Sequence, residues 1–234
     1  MTTAAAATWQ VAVGQEKTSV AWDPPMRDDG GAVFVCAHGA GGQMHDRSIL
    51  AVTAALRERG IGTARFNFLY RERGAGRPDA MPKLLECWEA VVASVRTRLS
   101  PRLLIIGGRS MGGRAASMLA AAGTACDGLL LLAYPLHPPG QPDKLRVEHL
   151  PRITVPVLCI NGTRDPFCDP SLMKRTLTKL GTNWRMLWLE GADHSFHVLK
   201  SSGRTDRAVL EEVAQASESW IGGIAPRLQN GPVT

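Results

Sequence analysis

A serine flanked by glycines is the residue in this sequence best suited to nucleophilic chemistry. The sequence Gly-Arg-Ser-Met-Gly occupies residues 108–112, directly after an apolar run at 103–107 and before a segment rich in small residues. A strand, a tight turn and a helix hold such a serine in a strained conformation with its hydroxyl exposed, and the glycines avoid collisions with neighbouring backbone. The positive end of the helix favours negative charge there. We therefore predict that Ser110 is a nucleophile and that Arg109 braces the turn through a buried ion pair.

A serine hydroxyl is a poor nucleophile at neutral pH, so a base must take its proton and an acid must orient that base. Asp165 and His194 each follow an apolar segment in the second half of the chain. They complete the chain order serine, acid, histidine. Asp169, where a helix N-cap is expected, and His197, on the turn after His194, are the alternatives. We predict Asp165 as the acid and His194 as the base.

Attack by a serine on an acyl carbon also requires two backbone N–H groups that stabilise the oxyanion. The amide of Met111, directly after the nucleophile, is expected to be the first. The second is expected from the glycine-rich sequence at 38–42, where we predict Ala40 as donor and Gly41 as its neighbour against the substrate. His38 fits a structural role in this loop. The spacing of His, Cys and carboxylate residues resembles no metal site, so no metal and no other cofactor is predicted.

A polar segment in the first half of the chain carries further residues expected to contact the substrate. Asn67 and Tyr70 are candidates, with core packing as the alternative for Tyr70. Three arginines follow within a few positions, namely Arg71, Arg73 and Arg77. These arginines have two interpretations. Either they recognise an anionic substrate, with Arg71 as a contact residue, or they belong to a solvated glycine-rich loop.

The elements that must position these residues follow an alternating pattern. Two short alternating segments predict an N-terminal antiparallel hairpin, and unbroken apolar runs then alternate with helix-period segments. This pattern is typical of an α/β fold with a mainly parallel, doubly wound sheet that has helices on both faces, and ligands bind at the carboxyl ends of such strands. Residues 134–151 are predicted to form a loop, which is too short to be a large lid. We predict one domain over residues 1–234.

The predicted strands are residues 9–13, 19–22, 32–37, 63–68, 103–107, 129–133, 155–161 and 184–189. The predicted helices are residues 46–59, 82–99, 112–122, 170–180 and 205–221.

Composition narrows the class of protein. The chain has 27 Lys and Arg against 21 Asp and Glu, but these charges are scattered, which argues against a nucleic-acid partner. Its five widely spaced cysteines favour reduced thiols in the cytoplasm over a disulfide framework. The N-terminal sequence lacks the features of a signal peptide, and no apolar run is long enough to span a membrane. A small-molecule acyl substrate is the expected partner, and nothing in the sequence specifies an oligomeric state.

Six segments in chain order resemble the α/β-hydrolase superfamily, specifically its dienelactone-hydrolase-like branch with testis-expressed and NSL-complex relatives. These segments are residues 37–41, 65–70, 107–114, 134–140, 162–165 and 193–196. The resemblance implies the α/β-hydrolase fold, the catalytic triad and a hydrolase. One departure is that dienelactone hydrolases use a cysteine nucleophile, where this chain has Ser110. We expect a serine esterase that cleaves small acyl esters, with a thioesterase, a peptidase or a non-catalytic interaction protein as alternatives.

Overall fold

The computed structural model describes residues 6–27 and 31–229. The first five and the last five residues of the predicted domain, 1–234, therefore lie outside the described residues, as does part of the segment expected to lack signal-peptide features.

The strands are β1 (Ala7–Val13), β2 (Glu16–Asp23), β3 (Ala32–Ala37), β4 (Gly62–Phe66), β5 (Leu103–Arg109), β6 (Gly128–Leu132), β7 (Val157–Gly162) and β8 (Trp184–Leu189). The helices are α1 (Arg47–Glu58), α2 (Leu69–Glu72), α3 (Met81–Leu99), α4 (Met111–Ala121), α5 (Pro170–Leu177) and α6 (Asp206–Gln229), with 3-10 turns at Leu150–Arg152 and Lys200–Ser202.

The described strands form one sheet in the order β1-β2-β4-β3-β5-β6-β7-β8. From β4 to β8 every neighbouring pair is parallel, whereas β1 pairs antiparallel with β2, and β2 pairs antiparallel with β4. The predicted N-terminal hairpin and mainly parallel sheet are thus confirmed. This order brings the carboxyl ends of β3, β5, β7 and β8 to one edge of the sheet, where the predicted site residues follow.

Both faces of the sheet are covered by helices. Successive side chains of a strand point to opposite faces, so Val35 packs into one core while its neighbour Phe34 packs into the other. Helices α3 and α4 contribute to the first core, and α1 and α6 contribute to the second. Burial on both faces explains why the strands carry continuous apolar runs. The predicted α/β-hydrolase fold is therefore confirmed.

Several element boundaries differ from the prediction, most clearly those of β2, β4 and α6. Strand β2 begins at Glu16 because the register ends on the pair Val13 and Glu16, which leaves a two-residue turn where Gly14 has a φ of 58°. Strand β4 ends at Phe66, and the short helix α2 follows where the prediction had strand and loop. Helix α6 continues past the predicted end at 221, through the glycine pair at 222–223, to Gln229.

The connection between β6 and β7 packs on the body of the domain. Its residues Tyr134, Leu136 and Leu150 are buried in the core shared with α4. No lid is evident in the described part of the chain, in agreement with the prediction for residues 134–151. All five cysteines are free and buried. No helix among the described residues is long and apolar enough to span a bilayer.

Candidate active site

Ser110 lies in a strained turn between β5 and α4. Its φ is 51°, in the left-handed region, and its N–H donates to the carbonyl of Leu132 at 2.9 Å. A Cβ at Gly108 would lie 2.2 Å from the carbonyl oxygen of Ala37, and one at Gly112 would lie 2.6 Å from that of His38. Only glycine therefore allows the turn to approach β3 so closely. The side chain of Ser110 is left half-buried, within reach of a ligand.

The three residues predicted as nucleophile, base and acid form one chain of hydrogen bonds. Ser110 Oγ lies 3.0 Å from Nε2 of His194. Nδ1 of the same ring lies 2.8 and 2.9 Å from the two carboxylate oxygens of Asp165. Because Nδ1–H donates to the carboxylate, Nε2 is left as the acceptor of the serine proton. This tautomer is the one that a general base requires.

The carboxylate of Asp165 is held in place by two further donors. The Asn161 amide donates to Oδ2 at 3.1 Å, and the N–H of Phe167 donates to Oδ1 at 2.8 Å. The Asp165 side chain is fully buried, so these bonds replace the water it loses. Asn161 also bonds both backbone polar groups of Tyr134 and so ties the acid loop to the end of β6. Sequence reasoning missed Asn161, although an asparagine closing an apolar strand was a signal.

Arg109 holds the histidine loop against the serine turn. Its guanidinium donates to the carbonyl of His194 at 3.1 Å and to Oγ of Ser195 and Ser48, both at 3.0 Å. The predicted bracing role is therefore present, but the predicted buried ion pair is wrong: in the described part of the chain, the guanidinium bonds to neutral oxygens only. Burial lowers the pKa of Arg109.

The alternatives predicted for the acid and the base, Asp169 and His197, make other contacts. Asp169 caps α5, where its Oδ1 accepts the N–H of Leu172 at 2.9 Å. His197 pairs with Asp206 at 2.9 Å, and both side chains are more than half exposed. Neither residue bonds to Ser110 or His194 in the described structure.

The loop after β3 lies against the serine. A Cβ added at Gly39 would lie 3.5 Å from the Cβ of Ser110, so the backbone of this loop faces the nucleophile. The amides of Ala40 and Met111 have no hydrogen-bond partner among the described residues. In that part of the chain, the protein therefore occupies neither predicted donor.

Two buried side chains fix that loop. His38 is fully buried; its Nδ1 donates to the carbonyl of Gly39 at 2.8 Å, and its Nε2 accepts the N–H of Phe68 at 3.2 Å. Burial lowers the pKa of His38, which favours this neutral ring. The hydroxyl of Tyr70 accepts the N–H of Gly41 at 3.1 Å. Tyr70 is fully buried, so it packs and positions the loop, and the amide of Gly41 is already occupied.

The remaining predicted substrate contacts bond within the fold. Asn67 accepts the N–H of Met44 at 2.9 Å and donates to Glu72 at 3.2 Å. Arg71 donates to the carbonyl of Ala75 at 3.0 Å. Arg73 forms ion pairs with Glu16 and Asp79, and its place in an anion site stays a prediction. Arg77 is exposed.

A second serine–histidine contact has no access to solvent. Ser117 Oγ lies 2.7 Å from Nε2 of His149, but its proton is donated to the carbonyl of Arg114, also at 2.7 Å. The histidine must therefore donate to Ser117 and cannot act on it as a base. Ser117 is fully buried, so this pair is structural. No cluster of potential metal ligands occurs among the described residues.

Several solved structures are similar to this chain. A serine hydrolase without a lid from Xanthomonas campestris is 25% identical, with a TM-score of 0.69 over 90% of this chain and 94% of that one. A serine hydrolase homologue from Coxiella burnetii is 21% identical, with a TM-score of 0.74 over 90% and 96% of the two chains. A dienelactone hydrolase from Anabaena variabilis is 20% identical, with a TM-score of 0.72 over 94% and 97%.

The likenesses to the Coxiella and Anabaena proteins, both below 25% identity, concern the fold alone. The family model described as an alpha/beta hydrolase domain matches residues 30–222, which is most of the sequence and includes all the residues of the hydrogen-bond chain described above. The chain therefore belongs to the α/β-hydrolase family.

Proposed function

We propose that this protein is a serine esterase that cleaves small acyl esters through an acyl-enzyme on Ser110. The observation that carries the proposal is the unbroken chain of hydrogen bonds from Ser110 through His194 to Asp165. A protein that only binds a partner on this fold has no physical need for all three groups in this arrangement.

The first half of the reaction transfers the acyl group to the protein. Ser110 Oγ attacks the ester carbonyl carbon while Nε2 of His194 takes the serine proton. The amides of Ala40 and Met111 donate to the oxyanion of the tetrahedral intermediate. When this intermediate collapses, the bond to the leaving oxygen breaks and His194 gives its proton to the departing alcohol.

The second half releases the acid. Water attacks the acyl carbon while His194 takes a proton from it, and the serine–acyl bond then breaks as the proton returns to Ser110 Oγ. Throughout, the buried carboxylate of Asp165 stabilises the imidazolium. The absence of an evident lid in the described residues supports small, soluble substrates over long-chain lipids.

A fluorophosphonate probe tests the nucleophile without knowledge of the substrate. We expect covalent labelling of the native protein at Ser110, located by mass spectrometry of the labelled peptide, and loss of labelling after heat denaturation. Labelling at another serine, or no labelling of folded protein, would contradict the proposal.

A substrate panel then separates esterase from thioesterase and peptidase. Matched 4-nitrophenyl esters, thioesters and anilides of acetate, butyrate and hexanoate keep the acyl group constant and change only the leaving atom. We expect the highest kcat/KM for the esters. A higher kcat/KM for thioesters or anilides at every chain length would replace the esterase assignment with the corresponding alternative.

The acid is tested by Asp165→Asn, with Asp169→Asn as the matched control. Asparagine at 165 keeps the shape but lacks the charge that stabilises the imidazolium, and we expect kcat to fall by about 10⁴-fold. Asparagine caps helices about as well as aspartate, so Asp169→Asn should change kcat by less than about twofold. Steady-state kinetics on a short-chain ester gives both values. A larger loss of kcat in Asp169→Asn than in Asp165→Asn would assign the acid role to Asp169.

A further inference from the structure

A cavity of about 720 Å³ lies between α1, α6 and residues 195–197, which follow His194. Small-molecule sites have volumes of about 300–1,000 Å³, so this cavity is large enough for a ligand. Arg109 and Leu132, at the carboxyl ends of β5 and β6, complete its lining. Ser110 and His194 are not among the described residues that line it. The cavity is therefore distinct from the proposed catalytic site.

A guanidinium and two serine hydroxyls form a polar group in the wall of this cavity. Arg109 donates to Ser48 Oγ and to Ser195 Oγ, both at 3.0 Å, and to the carbonyl of His194 at 3.1 Å. These bonds leave some of its N–H donors without an acceptor among the described residues. The proton of each serine hydroxyl also has no acceptor in this part of the chain, because each oxygen is bonded only as an acceptor. All three groups can therefore donate to an anion that enters the cavity.

The charges that line the cavity have a small positive excess. Arg47 and Arg207 are exposed at its rim, and neither forms an ion pair in the described structure. Two carboxylates also line the cavity, but both have partners: Asp206 pairs with His197 at 2.9 Å, and Asp46 accepts a backbone N–H of its own turn at 2.9 Å. Three arginines therefore face two carboxylates. This balance suits a monoanion better than a phosphate dianion.

The inner part of the lining is apolar. Helix α1 contributes Ile49 and Val52, β6 contributes Leu132, and the segment after the histidine contributes Phe196. Leu210 of α6 completes this wall. An alkyl chain that lies against these side chains buries apolar surface, whereas a bare inorganic anion does not. The lining therefore favours a ligand with both a charged group and a hydrocarbon part.

We propose that this cavity binds a short-chain aliphatic carboxylate, with the carboxylate on Arg109, Ser48 and Ser195 and the alkyl chain against the apolar wall. The carboxylate accepts the N–H and O–H protons that have no acceptor in the described structure, and its single charge matches the small positive excess. The proposal is independent of the proposed function, because neither the nucleophile nor the base lines the cavity. The site is joined to His194 through the bond from Arg109 to its carbonyl.

A ligand series tests the two parts of the ligand separately. Hexanoate, acetate, hexanol and inorganic phosphate are each titrated into the full-length protein, and binding is followed by NMR. We expect saturable binding of hexanoate, with acetate at least about tenfold weaker because it lacks most of the alkyl chain. Hexanol should also be at least about tenfold weaker, because it lacks the charge. No saturable binding of hexanoate, or tighter binding of phosphate or hexanol, would overturn the proposal.

Ser48→Ala tests the hydroxyl donor, with Ser219→Ala as the matched control. Ser219 is exposed on α6, does not line the cavity and has no side-chain hydrogen bond in the described structure. We expect Ser48→Ala to raise the Kd of hexanoate at least about fivefold, because it removes a hydrogen bond to a charged group. Ser219→Ala should leave the Kd within about twofold. An unchanged Kd in a folded Ser48→Ala protein would contradict the site.

A double variant tests the charge at the rim. Arg47→Gln with Arg207→Gln removes two exposed arginines, and we expect it to raise the Kd of hexanoate about five- to tenfold. Arg175→Gln with Arg185→Gln is the control for net charge. These two arginines are exposed on α5 and β8, away from the cavity, and have no ion pair in the described structure. Their removal should change the Kd less than about twofold, because distant charges are screened by salt. An equal loss in both double variants would assign binding to overall charge and overturn the site.

Hexanoate would also be a product of the proposed esterase, so the titration is repeated on protein labelled at Ser110 by the fluorophosphonate. We expect the Kd to stay within about twofold, with the largest amide shifts at Ser48 and Ser195 rather than at Ala40 or Met111. Loss of binding after labelling would place hexanoate at the proposed catalytic site and overturn this second site. If the probe does not label the protein, the esterase fails, but loss of hexanoate affinity in Ser48→Ala would still support the cavity.

Discussion

Replacing Ser110 with alanine is expected to lower kcat for a short-chain ester by about 10⁴- to 10⁶-fold and to abolish fluorophosphonate labelling. The acyl-enzyme requires an oxygen at this position, and no other hydroxyl in the described structure lies within hydrogen-bond distance of His194. The elbow backbone stays in place because Ser110 is held there by its N–H bond to Leu132 rather than by its hydroxyl. Tm should therefore change little.

Ser117→Ala is the control for Ser110→Ala. It also removes a hydroxyl in contact with a histidine, but this hydroxyl is buried and its proton is bound by a backbone carbonyl. We expect a modest loss of stability, about 1 kcal/mol, with labelling of Ser110 retained. Full activity in Ser110→Ala, or loss of labelling in a folded Ser117→Ala protein, would contradict the assignment of the nucleophile.

The sequence was informative where a local pattern determined both the backbone and the chemistry. Ser110 sits in a motif whose glycines have no room for a Cβ, and Asp165 and His194 each follow a strand of a parallel sheet. Because parallel strands end at one edge, three residues far apart in sequence were expected to meet there. The strand order alone was enough to predict that these three residues meet.

The sequence was less informative where side chains bond to neutral or distant partners. Arg109 was expected to have a carboxylate, but carbonyl and hydroxyl oxygens, which leave no charge pattern in a sequence, are its acceptors. Arg73 was grouped with Arg71 because they are close in sequence, whereas its acidic partner Glu16 comes from the N-terminal hairpin. Such pairings depend on the tertiary fold.

Replacing His194 with alanine is expected to lower kcat about as much as Ser110→Ala, because a serine without a base remains protonated at neutral pH. The variant keeps the oxyanion donors, so a residual rate above that of water should remain. Added imidazole, which fits the space left by the ring, should restore part of this loss in proportion to its concentration. Stopped-flow measurement of the acyl-transfer step gives the effect directly.

His197→Ala identifies which histidine is the base. His197 lies three residues further along the chain, and its pKa is raised by the hydrogen bond to Asp206 and by that carboxylate's charge. A histidine that favours its protonated form is a poor acceptor for the serine proton, whereas Nε2 of His194 is already hydrogen-bonded to the serine hydroxyl. We expect kcat to fall less than about threefold in His197→Ala, from loosening of the histidine loop alone. A loss of several orders of magnitude in His197→Ala, with His194→Ala active, would contradict this assignment. The histidine loop would then have to rearrange before catalysis, and the hydrogen bonds between Ser110, His194 and Asp165 would not be the reacting geometry.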